Sequence, residues 1–204
     1  LHASAYQIEA NRKLDQAARS LNRTLPTFSL DSGLVFERQA RLTGRPMTQT
    51  LEPRLFYVYT PYKDQSAFPN FGSAESSFNF AQLFNENRFI GSDRVSDANQ
   101  VTTALVSRFV EANGAERLRL ALGQRFYLRD QRVQLDGSKA RDESKSDVLV
   151  AASGQISDTW SFDSAVEYNA LKSSVVTSNA GVQWRPGALK VVNADYRFLR
   201  DSFK

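Results

Sequence analysis

Three arginines are the side chains of this sequence with the clearest capacity for recognition chemistry. Arg117, Arg119 and Arg125 lie in the stretch RLRLALGQRFYL at positions that share one face of an extended strand. A guanidinium group forms paired hydrogen bonds with a phosphate or a carboxylate. The stripe therefore indicates either a surface that attracts phosphate or acidic groups, or the hydrated wall of a water-filled space, and the second interpretation is favoured.

A second group of polar residues flanks a long predicted loop, 61–98. Six residues are predicted to anchor it: Pro61, Tyr62, Asp64, Asp93, Arg94 and Arg108. At the start of the loop, the alternative is a plain turn in which Asp64 bonds only to local backbone. At its return, Asp93-Arg94 and Arg108 are predicted to form a charge-assisted network. The alternative there is solvated surface charge, which stabilises a protein very little.

Catalytic and metal chemistry are not indicated. The sequence has no Cys and one His, His2, so neither a thiolate site nor an imidazole-based site is expected. Asp142-Glu143 could suggest an acid–base pair, but the surrounding DGSKARDESKSD favours a solvated loop. We find no nucleophile–base arrangement, Gly-rich phosphate cradle or metal-ligand spacing. We therefore expect a protein that is not an enzyme and has no cofactor.

Composition narrows the class of protein further. Hydrophobic residues make up 41% of the chain and the mean hydropathy is −0.44. No run approaches the roughly 18 consecutive apolar residues of a transmembrane helix, whereas a membrane β-strand needs an apolar residue only at every second position. The 26 basic and 22 acidic residues are mixed along the chain, so no nucleic-acid partner is expected.

Alternation with a period of two residues is the strongest structural signal. In WSFDSAVEYN, for example, Trp160, Phe162 and Val166 share one face while Asp163 and Glu167 share the other. The pattern predicts an all-β antiparallel fold with about nine strands, and a short helical turn within 11–24. The predicted strands are 3–10, 26–38, 48–60, 99–110, 117–129, 147–156, 160–169, 175–184 and 190–198.

The predicted connections alternate in length. Loops 61–98 and 130–146 are long, 111–116, 157–159 and 185–188 are short, and 170–174 is intermediate. This alternation is typical of a transmembrane β-barrel, with short periplasmic turns and long extracellular loops. Four aromatic residues are predicted to lie at the membrane interfaces: Trp160, Tyr168, Trp184 and Tyr196. An odd strand count and unpaired edges are incompatible with a closed barrel in lipid, so we expect a segment of a larger barrel.

Several segments resemble the LptD family of lipopolysaccharide-assembly proteins. The most specific are TQTLEPRLFYVYTPYKDQS (48–66), GSDRVSDANQVTTALVSR (91–108) and ERLRLALGQRFY (116–127). Weaker similarity continues through TSNAGVQWR (177–185) and LKVVNADYRF (189–198). The resemblance thus covers nearly the whole chain.

The resemblance implies that 1–204 is part of one β-barrel domain integral to the Gram-negative outer membrane. Its family inserts lipopolysaccharide into the outer leaflet, with an LptE-like lipoprotein plug inside the barrel and a periplasmic Lpt bridge that delivers the lipid through an N-terminal domain. The arginine stripe would then line the lumen, facing lipopolysaccharide or the plug. The family's lateral gate and disulfides are expected outside this segment.

Two other hypotheses remain at this stage. The chain could belong to another large outer-membrane barrel, a porin or a transporter, in which 61–98 would constrict the channel. It could also be a soluble β-sandwich binding module. A sandwich would have a polar outer face and a dry apolar core, so refolding into detergent rather than into buffer alone distinguishes a barrel from it.

Overall fold

The computed structural model describes residues 2–8, 19–76, 79–135, 144–187 and 189–200, and the regular secondary structure in these ranges is almost entirely β-strand. A single 3-10 turn, Gln82–Phe84, lies among them. No helix in these ranges has the length and apolar character needed to cross a membrane. The strands are β1 (His2–Ile8), β2 (Arg19–Leu25), β3 (Phe28–Gly33), β4 (Phe36–Leu42), β5 (Arg45–Thr60), β6 (Ala74–Glu75), β7 (Phe89–Ile90), β8 (Ala98–Val110), β9 (Glu116–Tyr127), β10 (Val148–Gln155), β11 (Trp160–Asn169), β12 (Ser174–Gly187) and β13 (Lys190–Leu199).

Nine of the described strands form one sheet in the order β13-β12-β11-β10-β9-β8-β5-β3, with β4 also paired to β5. The sheet is open, with β13 at one edge and β3 and β4 at the other. Neighbours in the sheet are mostly neighbours along the chain, as expected for an antiparallel meander. The all-β antiparallel prediction is confirmed, and β5 and β8 to β13 each lie within three residues of a predicted strand at either end.

The predicted strand 26–38 is in fact two strands, β3 and β4, which pair with different halves of β5. The interruption lies opposite Pro53, whose carbonyl accepts a hydrogen bond from the Leu34 backbone N–H at 3.1 Å. Proline has no N–H to donate, so the ladder cannot continue unbroken past it. The break is therefore a consequence of one residue on the neighbouring strand.

The helical turn predicted within 11–24 is wrong from residue 19 onward, and residues 9–18 lie outside the described ranges. Strand β2 occupies Arg19–Leu25 and pairs antiparallel with β1, with Tyr6 opposite Leu21 and Ser4 opposite Arg23. The cross-strand pairing decides the conformation, although Leu21 fits a helical spacing. The predicted first strand thus belongs to a separate two-stranded sheet.

The chain divides into two compact units. The loop unit comprises Leu1–Leu30, Tyr57–Val101 and Phe126–Ser144, and the sheet unit comprises Asp31–Phe56, Thr102–Arg125 and Lys145–Lys204. The loop unit contains the β1–β2 hairpin and most of the two long connections. The sheet unit contains most of the nine-stranded sheet.

The predicted long loop 61–98 has regular structure of its own. Strands β6 and β7 form a short antiparallel pair, with Ala74 opposite Ile90. Gly91 follows with a φ of +85°, and a Cβ atom there would lie 2.8 Å from the carbonyl oxygen of Gly72. Both the backbone angle and the close approach require glycine at this position. A long connection without such internal contacts would be unusual in an ordered protein.

Candidate membrane-facing surface and polar loop core

The apolar residues of the sheet unit lie on one face and in register. Leu122 is opposite Val150, and Val150 is opposite Val166, across β9, β10 and β11. Further along the same face Trp160 is opposite Trp184. This face is exposed: 47% of the Leu122 surface and 46% of the Val150 surface are accessible.

The other face of the same strands is mainly polar and includes the most buried residues. Arg125 is 3% exposed and Glu167 8% exposed. Glu167 accepts a hydrogen bond from the Thr177 hydroxyl at 3.1 Å, and Arg125 Nε donates to Thr102 Oγ1 at 3.4 Å. The sheet therefore exposes its apolar face and shields polar groups, the reverse of a soluble sandwich. This arrangement suits a sheet with lipid on its apolar side.

Aromatic residues mark both ends of β11 on the apolar face. The rings of Trp160 and Trp184 stack with centroids 5.7 Å apart and an interplanar angle of 20°. Tyr168 lies at the other end of β11, opposite Val175. Tyr196 is opposite Ala180, in the middle of β13. The membrane-interface location of these four aromatics stays a prediction.

The three arginines of the predicted stripe have different surroundings. Arg117 Nε lies 2.9 Å from Glu111 Oε1 and its Nη1 lies 3.1 Å from Asp158 Oδ1. Both carboxylates come from short turns, so the Arg117 charge is already compensated. Arg125 is buried, and the buried Nε of Arg119 has no hydrogen-bond partner in the described part of the chain. The stripe is therefore not one uniform basic surface.

Arg23 is the centre of a buried polar cluster in the loop unit. Its side chain is 1% exposed, and it donates to the carbonyl oxygens of Asp93 at 2.8 Å and Ser92 at 3.0 Å. It also donates to Gln65 Oε1 and to the Ser4 hydroxyl. A buried cation needs such partners because its hydration is lost. The cluster joins β2 to the loop between β5 and β8.

Asp93 completes this cluster from the loop side. Its carboxylate accepts hydrogen bonds from the backbone N–H groups of Phe71 and Gly72, both at 2.9 Å, and from the Tyr6 hydroxyl at 3.0 Å. The Gly72 N–H, together with the other two donors and the Arg94 charge, lowers the pKa of Asp93 despite the opposing effect of burial. The hydrogen bonds within the loop unit therefore stabilise the ionised form of the Asp93 carboxyl.

Of the network predicted for Asp93, Arg94 and Arg108, Asp93 and Arg94 interact within the loop unit, where the Arg94 charge helps to lower the pKa of Asp93. Arg94 is 2% exposed and its Nη1 donates to the Pro69 carbonyl at 3.1 Å, inside the loop unit. Arg108 instead lies 3.2 Å from Glu52 and 3.7 Å from Glu116, in the sheet unit. The inclusion of Arg108 in a network with Asp93 stays a prediction.

The start of the loop is ordered by local contacts. Asp64 Oδ1 accepts a hydrogen bond from the Ser66 N–H at 2.9 Å, which lowers the pKa of the Asp64 carboxyl. This hydrogen bond to local backbone is the contact expected for Asp64 if the start of the loop is a plain turn. The Tyr62 ring, next to Pro61, lies 3.8 Å from the guanidinium carbon of Arg132, a cation–π contact with the β9–β10 connection.

Two further residues that the sequence did not single out hold the β9–β10 connection. Asp97 accepts hydrogen bonds from the backbone N–H groups of Arg132 at 3.0 Å and Val133 at 2.9 Å. Arg88 donates to the Val133 carbonyl, and to Gln134 Oε1 at 2.9 Å. The pair Asp142-Glu143 lies outside the described residues. Only the folded chain brings these segments together, so no local sequence signal could have identified them.

Comparison with known proteins gives a consistent result. The model of the family LptD, described as LPS transport system D, matches residues 1–204. The LPS-assembly protein LptD of Polaromonas sp. is 50% identical over 202 residues, which cover 98% of this chain and 24% of the relative. That of Thiobacillus denitrificans is 48% identical over 189 residues, covering 91% of this chain and 26% of the relative.

A relative of the same name in Neisseria meningitidis serogroup B is 44% identical over 203 residues, covering 98% of this chain and 25% of the relative. The chain therefore spans about a quarter of the length of the curated relatives it matches. The descriptions concern transport and assembly, and neither names a catalytic activity.

Proposed function

Because the chain belongs to the LptD family, we propose that it forms part of the wall of an outer-membrane β-barrel that inserts lipopolysaccharide into the outer leaflet. The observation that carries this proposal is the orientation of the sheet faces: the apolar side chains are exposed and the polar ones are shielded. A soluble β-sandwich does not account for that arrangement. The family match favours lipopolysaccharide assembly over a porin or another transporter.

The proposal gives each surface a role. The face with Leu122, Val150 and Trp160 contacts lipid, and the face with Arg119 and Glu167 lines the lumen. The loop unit lies on the extracellular side, where the long connections of such barrels emerge. An LptE-like lipoprotein plug and a periplasmic bridge that delivers lipopolysaccharide are the partners that the family implies.

Depletion of the full-length protein from its own bacterium tests the function. We expect lipopolysaccharide at the cell surface, measured by antibody binding to intact cells, to fall severalfold and to recover when the full-length protein is expressed again. Total lipopolysaccharide, measured on lysed cells, is the control for synthesis. Unchanged surface lipopolysaccharide after complete depletion would refute the proposal.

Cysteine labelling tests the proposed topology. Ser66 lies in the long connection and Ser157 in a short turn, and both are exposed. In a cysteine-free full-length protein, we expect a membrane-impermeant maleimide added to intact cells to label Ser66→Cys strongly and Ser157→Cys hardly at all, because only the long loops reach the exterior. Permeabilised cells should label both variants. Labelling of Ser157→Cys alone in intact cells would mean that the short turns, and not the long loops, face the cell exterior, contrary to the proposed topology.

A further inference from the structure

The loop unit contains a cavity of about 310 Å³ that the proposed wall function does not use. Its lining includes Tyr62 and Asp64 from the start of the long loop, Arg94 from its return, and Arg132 and Gln134 from the β9–β10 connection. The size corresponds to the smaller ligand pockets of proteins. The cavity is thus large enough for a single sugar or a comparable small group.

Two guanidinium groups and one carboxylate belong to this lining. Arg94 and Arg132 carry positive charges, and Asp64 is the one acidic residue among the described residues that line the cavity. Asp64 uses Oδ1 to accept the Ser66 N–H. Among the described lining residues the balance of formal charge is therefore +1, and Asp93 outside the lining offsets part of the Arg94 charge. The paired N–H groups of arginine match the geometry of a phosphate.

Contacts within the loop unit hold these groups in place. The Pro69 carbonyl fixes Arg94, and the Tyr62 ring supports the exposed Arg132 guanidinium at 3.8 Å. Gln134 Nε2 donates to the Gln131 carbonyl at 2.7 Å. Side chains that are already ordered lose little entropy when a ligand binds, so the cavity is preorganised.

We propose that this cavity binds a phosphate monoester carried by a sugar, through the exposed guanidinium group of Arg132, with the buried Arg94 adding positive charge to the lining. The inference rests on the proposed function only for the source of the ligand, since lipopolysaccharide carries phosphate on its sugars. Tyr62 lines the same cavity and provides an aromatic surface beside Arg132. The site belongs to the loop unit, whereas the arginines of β9 belong to the sheet unit.

Titration calorimetry on the purified full-length protein in detergent tests this inference. The probes are glucose 6-phosphate, inorganic phosphate and glucose. We expect saturable binding of glucose 6-phosphate and no measurable binding of glucose. Stronger binding of glucose 6-phosphate than of inorganic phosphate would support a sugar phosphate as the ligand. Equal or stronger binding of inorganic phosphate would overturn the sugar part of the proposal.

Two charge variants with opposite expected effects make the test specific. Arg132→Gln should weaken glucose 6-phosphate binding about 10- to 100-fold, because one charge-assisted contact is lost. Asp64→Asn can still accept the Ser66 N–H but removes a negative charge, so it should strengthen binding about two- to tenfold. Arg129→Gln is the matched control, since Arg129 is exposed on the same connection and does not line the cavity.

The inference is overturned if glucose binds as well as its phosphate, if no probe binds saturably, or if Arg132→Gln behaves like Arg129→Gln. This outcome is separate from the fate of the proposed function. If depletion lowers surface lipopolysaccharide but the protein binds no phosphate, only the inference about the cavity is refuted. If the protein binds phosphate but its depletion leaves surface lipopolysaccharide unchanged, the proposed function is refuted.

Discussion

Replacement of Leu122 by arginine is expected to destabilise the full-length protein in the membrane by about 2–4 kcal/mol. Leu122 lies near the middle of β9, between Leu120 and Gln124 on the exposed apolar face, and its neighbour across the strands is Val150. If lipid covers this face, a guanidinium there has no water and no partner. The folded fraction at intermediate urea concentrations, measured by heat-modifiable mobility on gels after refolding into lipid vesicles, reports the change.

Leu171→Arg is the matched control for this experiment. Leu171 is 68% exposed in the turn between β11 and β12, outside the strands. The same substitution there should cost about 0–1 kcal/mol, the value for positions near the membrane interface. Equal and small effects of the two substitutions would show that the apolar face does not contact lipid. That result would contradict the proposed wall function.

Replacement of Arg23 by methionine is expected to destabilise the loop unit by about 3–5 kcal/mol. Methionine is apolar and of similar length, but it leaves the Ser92 carbonyl without the Arg23 donor and the Asp93 carbonyl with only the longer 3.4 Å contact from Arg94. The connection between the β1–β2 hairpin and the loop would then be much weaker. Hydrogen exchange of the full-length protein measures the effect, and the backbone amides of Gly72 and Val95 should exchange at least a hundredfold faster.

Arg54→Met provides the control, because Arg54 also contacts an acidic residue but is exposed. Its ion pair with Asp31 has side chains that are 45% and 44% accessible. Such a surface pair contributes about 0–1 kcal/mol, so the exchange of the loop amides should not change. Similar exchange in Arg23→Met and wild-type protein would mean that Arg23 does not hold the loop in place.

Regular alternation made most of the sheet predictable. In β9 and β11, residues of like polarity recur at every second position, and strand geometry alone places them on a common face. The residues of β11 predicted to share the apolar face with Trp160 do share it, opposite Trp184 and Val182. The prediction failed at two places. Pro53 on β5 divides the predicted strand 26–38 into β3 and β4, and pairing with β1 makes β2 a strand where a helical turn was predicted.

The contacts of the polar loop core could be predicted from the sequence only in small part. Asp93 and Arg94 were identified as anchors of the long loop, but their contacts with Tyr6, Gly72 and Pro69 were not. The contacts of Arg108 with Glu52 and Glu116 were not predicted either. These contacts were missed for one reason: polar side chains bind whichever groups the fold brings near, and those groups are distant in sequence.

Most strands of the sheet, and the apolar face of each, could be read from the sequence, because alternation is a local property of an extended backbone. The role of Arg23 could not, because it depends on the folded arrangement of the chain. Its contacts with Gln65 and Asp93 join residues 42 and 70 positions apart, and no periodicity encodes such a pairing. The arginines of β9, which invited the first functional hypothesis, proved to have separate environments for the same reason: Arg117 is matched by Glu111 and Asp158 from two different turns.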